Sequence, residues 1–458
     1  MTRAGKFSSA QSRDQRGSVL IIVMWISLGL VALTLYFANS MSSELRAADN
    51  RVTEIAARQA IAGGTRYATY VLTQYATGGV VPNIEDYKAE ALAVGDASFW
   101  FIGRNHDELP QQQTNEPYFA LVDESSKLNL NTVTSAMLQA LPLPGMTAEF
   151  ADAIVAWRSA TSQNAATADG IYGKLDPPRH NKGAAYETVD ELRLINGAML
   201  DVILGEDTNR NGVLNANEDD GEQSAPRDDQ NGQLLAGLLE YVTVYSSQPA
   251  TSPTGGRRLN VTTAPTLQTR QQLLQRLTQR GITQQRATQI VLRAGGATHT
   301  SVADFMIAAQ MTADEFGLVH NDLTAATANG GVASGLVNVN TASAAVLGAI
   351  PGIGPDNAAT LVAFRAAHPE LLTSFAWLTQ VLSPASIRQA GRYITDQSYQ
   401  FSADIAAVGA NGRGYCREKV VFDLSTGTPR IVFRQDLTSF GWALGATTRR
   451  TLSGTKDT

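Results

Sequence analysis

Apolar and polar positions divide this chain into stretches with different periods. From Ser18 to Ala38 no residue is charged: SVLIIVMWISLGLVALTLYFA. At ~1.5 Å rise per residue this makes a helix of about 32 Å, enough for a hydrocarbon core of roughly 30 Å. Asn39 to Ala76 contains no proline, and Leu45, Val52 and Ile55 recur at helical spacing among Glu44, Arg46, Asp49 and Arg51. One helix is therefore expected to run from the apolar segment into an outer domain, ending before Gly78-Gly79 and Pro82, with Gly63-Gly64 as a looser point. Strand signals follow at Phe99–Ile102 and Tyr118–Val122. They return at the far end, where Tyr399, Phe401, Ala403, Ile405 and Ala407 alternate with Gln400, Ser402 and Asp404. Lys419–Leu424 and Arg430–Arg434 flank Ser425-Thr426-Gly427-Thr428-Pro429 as a hairpin. The tail from Thr447 is polar and reads as loose.

The middle is helical and repeats itself. Leu128-Asn129-Leu130-Asn131-Thr132 returns as Val337-Asn338-Val339-Asn340-Thr341. Each precedes a short helical stretch, a glycine turn (Pro144-Gly145-Met146, Pro351-Gly352-Ile353) and a helix closing on Trp157-Arg158 or Phe364-Arg365. A fainter copy begins at Leu259-Asn260-Val261-Thr262-Thr263 and continues through Gly281-Ile282-Thr283. Each unit reads as a helix-hairpin-helix, near 129–200, 259–310 and 337–395. Strands close a domain that a helix and strands open, so the outline is one α+β domain (39–131 and 396–446) interrupted by an all-α insertion (132–395).

Composition adds bounds. The 458 residues are 43% hydrophobic, enough for two or three domains, and 36 bases face 42 acids for a net charge of −6. No general basic field exists for nucleic acid. Helix-hairpin-helix turns can bind DNA through N–H groups at the second helix, which makes a membrane-anchored DNA receptor of the competence type the alternative function. Such sites carry bases just beyond the turn; here those positions are Asp356 and Asn357, Ala148 and Glu149, and Gln284 and Gln285. The histidines 106, 180, 299, 320 and 368 are scattered, no nucleophile elbow or phosphate loop occurs, and the single cysteine, Cys416, lies among strand formers. The chain reads as non-enzymatic.

One stretch carries metal chemistry. Asp207-Thr208-Asn209-Arg210-Asn211-Gly212-Val213-Leu214-Asn215-Ala216-Asn217-Glu218 matches the calcium-loop pattern D-x-[DN]-x-[DN]-G-x5-E at every constrained position. Oxygens at positions one, three and five converge on the ion, glycine permits the sharp turn, the carbonyl at seven adds a ligand, and glutamate at twelve closes the shell. The expected ligands are Asp207, Asn209, Asn211, the Val213 carbonyl, Asn215 and Glu218, with calcium fastening a long loop of the insertion. Asp228-Asp229-Gln230-Asn231-Gly232 looks like half of a second loop, which Asp219 or Asp220 would complete through Asp229 and Asn231.

The head before the apolar helix carries Arg3, Lys6, Arg13 and Arg16 against Asp14, which keeps it in the cytoplasm and the remainder across the membrane. Arg16-Gly17-Ser18 sets a glycine at the cytoplasmic mouth of the helix, where prepilin-like leaders are cut; an uncut signal anchor is the other reading. The fifth position after that cut is Ile22, where pilins usually have glutamate. With Asp123-Glu124-Ser125-Ser126-Lys127, Tyr186–Arg193, Leu239–Tyr245 and the Asn338–Thr341 repeat, the chain resembles the general secretion pathway protein K family, the minor pseudopilins K of type II secretion. That resemblance implies a pilin-like fold, a long N-terminal transmembrane helix packed on an antiparallel sheet, with a large all-α insertion that binds calcium. It implies a leader at 1–17 cut by prepilin peptidase between Gly17 and Ser18, and a single inner-membrane span at 18–38 with the main domain periplasmic. It further implies minor pseudopilins I and J as partners at the tip of a pseudopilus, with no nucleic acid expected.

Overall fold

The structure is a computed structural model and describes residues 15–76, 78–107, 116–159, 169–253, 255–326, 332–452 and 454. The basic head through Asp14 lies outside the described residues, as do 453 and 455–458 of the tail.

A single helix, Gln15–Tyr75, dominates one end. Its first half touches nothing: Val19, Leu20, Trp25, Leu28, Leu35 and Tyr36 are all exposed. Its second half buries Ala57, Ala60, Ile61, Ala68, Val71 and Leu72 against a sheet. Gly63-Gly64 does not loosen it. A Cβ on Gly64 would stand 2.9 Å from Ile405 Cγ2 and 3.0 Å from Phe99 Cδ2, so this glycine lets the helix approach the sheet closely. Leu45, Val52 and Ile55 are exposed rather than packed, although between them Asp49 pairs with Arg413 and Thr53 is buried.

The sheet is antiparallel, in the order Leu92–Val94, Ala97–Gly103, Gln400–Val408, Cys416–Asp423, Arg430–Asp436. Tyr118–Phe119 and Val122–Asp123 add to it at its margins. Phe401, Ala403, Ile405 and Ala407 face the long helix together with Phe99, Phe101 and the buried Cys416. The polar alternates do not face water. Gln400, Ser402 and Arg417 are buried beneath the insertion, and Asp404 pairs there with Arg417. The chain beyond Thr447 is not loose at its start, because Gly445–Leu452 is helical and Thr447 Oγ1 donates to Glu116 Oε1 at 2.6 Å.

The insertion consists of three units of one design. Each opens on a two-residue strand and closes on another that pairs with it in parallel: Leu128–Asn129 with Val242–Thr243, Leu259–Asn260 with Leu323–Thr324, and Val337–Asn338 with Ile394–Thr395. In each, the asparagine turns the chain, Oδ1 accepting from the N–H two residues onward at 2.8–2.9 Å: Asn129 from Asn131, Asn260 from Thr262, Asn338 from Asn340. A helix pair follows: Ser135–Gln139 with Ala148–Trp157, Leu267–Gln279 with Gln284–Arg293, Ala344–Gly348 with Gly354–Ala367. Threonine or serine caps the first helix of every pair: Thr134, Thr266 and Ser343. The faint copy at 259 is therefore a full unit, and the strands bounding each unit place its start a few residues before 132.

Candidate calcium loop and the junction beneath it

Residues 207–218 form a turn-rich loop inserted in the first unit, after the helix Leu200–Ile203. Asp207, Asn209, Asn211, Val213 and Glu218 are buried. Gly212 has φ of +77°, which the sharp turn requires. Side-chain oxygens hold the loop closed. Asp207 Oδ1 accepts from Asn211 N at 2.9 Å and Oδ2 from Gly212 N at 2.8 Å. Asn209 Oδ1 accepts from Asn211 N at 3.0 Å, and Asn211 Oδ1 from Val213 N at 2.8 Å. Glu218 reaches back across the loop, Oε1 accepting from Thr208 N at 2.9 Å and Oε2 from Asn215 N at 3.0 Å.

The two carboxylates, two side-chain carbonyls, a backbone carbonyl and Asn215 make an all-oxygen donor set, which fits a hard divalent cation such as calcium. Burial, with Glu218 and Glu240 close by, pushes Asp207 up to about 6 against the pull of Arg104. A divalent ion would relieve that penalty. No group of three or more His, Cys, Asp or Glu side chains is gathered among the described residues; the loop's other donors are amides and a carbonyl. The second cluster is arranged differently. Asp228 Oδ2 accepts from Asp220 N at 2.9 Å and Gly221 N at 2.8 Å, while the Asp229 carboxylate accepts from the nearby Asn231. Asp219 and Asp220 are thus not brought to Asp229 and Asn231 by any described bond. Gly17 and Ser18 lie in the opening turns of the long helix.

The seat of the loop is what the sequence hid. Arg417, on the face of the sheet turned away from the long helix, donates to the carbonyls of Asn209 and, at 2.9 Å, Arg210. The same guanidinium grips Asp404 at 2.8 and 2.6 Å. Asn209 Nδ2 donates to Trp442 O at 3.2 Å and Asn211 Nδ2 to Ala443 O at 3.3 Å. Arg104, at the end of its strand, bonds Glu240 at 2.9 Å and stands 3.6 Å from Asp207. The loop therefore fastens the insertion to the sheet and not merely one part of the insertion to another. Apart from the Arg417–Asp404 pair, each of these contacts spans more than a hundred positions, so no local pattern announces them.

A second junction uses the buried run 123–127. Asp123 Oδ2 accepts from Thr341 Oγ1 and Ser398 Oγ, both at 2.5 Å, tying the sheet to the third unit. Burial raises Asp123 to about 6. Glu124 accepts from Thr243 Oγ1 at 2.5 Å in the first unit and pairs with Lys419 of the sheet at 3.2 Å. Burial alone would raise Glu124, but Lys419 and Lys127 outweigh it and hold it near 2.

The glycine turns are partly covered. A Cβ on Gly352 would lie 2.7 Å from Ser386 O and 2.9 Å from Gln389 Cβ, because the helix Pro384–Ala390 packs over that turn. In the first unit Val202 covers Gly145.

Against known proteins, residues 337–393, which are the third unit, match the family described as Type II secretion system (T2SS), protein K. A chain in the crystal structure of the GspK-GspI-GspJ complex from the type 2 secretion system of enterotoxigenic Escherichia coli aligns over 83% of this chain and 96% of its own. Its identity is 9% and its TM-score 0.38. No curated protein matches the chain. The family match falls on the unit whose Asn338–Thr341 repeat carried the resemblance, and it is this stretch that is similar to type II secretion system protein K.

Proposed function

We propose that this chain is a non-catalytic minor pseudopilin that caps a periplasmic pseudopilus, anchored before assembly by Val19–Ala38. The observation that carries the reading is the unpartnered half of the long helix. It is apolar enough to cross a membrane, and beyond the span Met41, Leu45, Val52 and Ile55 continue the exposure at 62%, 69%, 65% and 57%. Such a stripe costs free energy in water and is suited to burial against other helices of the same kind. Ile22 leaves no acid at the helix start to pair with a neighbour's N-terminus, and the insertion's three units add bulk to the globular part; both favour an end position. I-type and J-type minor pseudopilins are the proposed partners, prepilin peptidase the processing enzyme, and calcium in the 207–218 loop the ion that secures insertion to sheet. The units read as helix-hairpin-helix elements used for packing. The covered Gly352 and Gly145 turns, with Asp356 and Glu149 beside them, disfavour the DNA receptor.

Intact mass of the protein purified from membranes tests this. A chain beginning at Ser18 is expected; one retaining the head would remove the pseudopilin reading.

A further inference from the structure

The second unit departs from its siblings at one position. In the first unit Arg158 ends the second helix of the pair and donates to the carbonyls of Leu130 and Val133, bracing the opening loop. In the third, Arg365 does the same to Val339 and Ala342, at 3.1 and 2.6 Å. Twelve residues after the turn apolar residue, where Met146 leads to Arg158 and Ile353 to Arg365, Ile282 leads to Ala294. In place of the guanidinium, His299 links the two parts, its backbone N–H donating to Val261 O at 2.9 Å and its ring bonding Ala294 O at 2.8 Å, and beside this smaller link a cleft of about 720 Å³ remains.

The cleft's walls are basic. From residue 241 to 303 the chain has no aspartate, glutamate or lysine and seven arginines: 257, 258, 270, 276, 280, 286 and 293. This is a concentrated positive stretch in a chain of net charge −6. Some arginines are satisfied internally. Arg286 pairs with Glu315 at 2.6 Å; Arg276 and Arg280 share the one carboxylate of Asp322 at 3.0 and 2.7 Å; Arg258 is buried against Gln397 and Tyr399. Arg257 and Arg270 are exposed at the cleft, and no carboxylate among the described residues pairs with either. No acid lines the cleft, while Leu273, Phe305 and Leu323 supply apolar wall.

The geometry points to this cleft as a binding site for a short acidic peptide segment of another protein, its carboxylates held by Arg257, Arg270 and the half-neutralised Arg276. Planar guanidinium forks suit carboxylates bidentately, and the apolar wall suits intervening aliphatic side chains. Nucleic acid fits less well. The aromatic lining, Phe305 and the His299 ring, is buried and offers no stacking platform. The site stands on this unit alone, whatever the chain's place in a filament.

Fluorescence anisotropy on the full chain in detergent tests it, with a fluorescein-labelled peptide of alternating glutamate and leucine and a labelled oligothymidylate as probes. Saturable peptide binding that weakens with salt is expected. The double variant Arg257→Gln/Arg270→Gln, at exposed positions, should weaken it by about tenfold or more, as two charge-assisted contacts are lost. Ala294→Arg, which restores the brace of the sibling units, should weaken it similarly. If Ala294→Arg does not fold, the double variant alone decides. Peptide binding unchanged in the double variant, no binding, or oligothymidylate binding at least as tight and lost in the same variants would each overturn the assignment.

Discussion

Arg417 shows how a single buried side chain joins two parts of this molecule. It is 1% exposed, pairs with Asp404 and donates to two carbonyls of the calcium loop. Replacing it by methionine strands Asp404 without a cation, and breaking such a pair costs about 3–5 kcal/mol. Arg417→Met is therefore expected to lower the denaturant midpoint strongly, as followed by circular dichroism; a near-neutral result would mean that the seat of the loop contributes little. Asp207 behaves oppositely. Its pKa is raised to about 6 from 3.8, so without metal the folded state holds the proton more tightly than the unfolded one. That contribution favours folding at low pH and is lost as pH rises from about 4 through 6. Asp207→Asn should accordingly raise thermal stability in chelator at pH 7, while abolishing the gain seen with calcium. In the native chain, calcium at a hundred times its Kd should add roughly 2.7 kcal/mol, and Glu218→Gln should remove most of that gain. Glu124 contributes with the other sign: held near 2, it stabilises above about pH 4.5 and loses that effect as pH falls towards 2. The loop's tight turn was legible because Asp and Asn at alternate positions before Gly212 accept from backbone N–H groups just ahead of them. Arg417, Arg104 and Trp442 were not, since nothing local distinguishes a strand arginine that binds a distant carbonyl from one that faces water.

At the scale of elements, the central strands were legible because they bury one face with period two, whereas the long helix and the closing hairpin were located by the proline-free apolar run and by the turn residues, since Leu45, Val52 and Ile55 are exposed and Arg430–Asp436 buries no face. Local pattern misjudged Gly63-Gly64, since a glycine pair within a helix looks the same whether it bends the chain or admits a sheet. Close contact decides here, and Gly64→Leu is expected to cost about 1–3 kcal/mol through overpacking, measurable as a lowered melting temperature with the helix content retained. It also misjudged Gln400, Ser402 and Asp404, whose alternation signals a polar face without saying that the insertion covers it. The repeat was readable as paired helices, but the parallel strands closing each unit were not, because two residues are too short for any pattern. Arg365→Ala removes three carbonyl partners, Val339, Ala342 and His106, and the 2.8 Å pair with Asp107 at once. It should loosen the third unit's opening loop, seen as faster amide exchange at Val339–Ala342 with the second unit unaffected.

For the whole molecule, the division of labour follows from where apolar surface is spent. One half of the long helix is consumed by the sheet; the other stays exposed and is apolar enough to cross a membrane, which is the basis of the proposed anchor. On the sheet's opposite face the 207–218 loop, the 123–127 run and Arg417 hold the first and third helical units, and the family match lies on the third. The position of the protein in assembled filaments tests this account most directly. Gold labelling of an epitope added after Thr458 on isolated pseudopili should place the chain at one end of each filament. Label distributed along the shaft would contradict it.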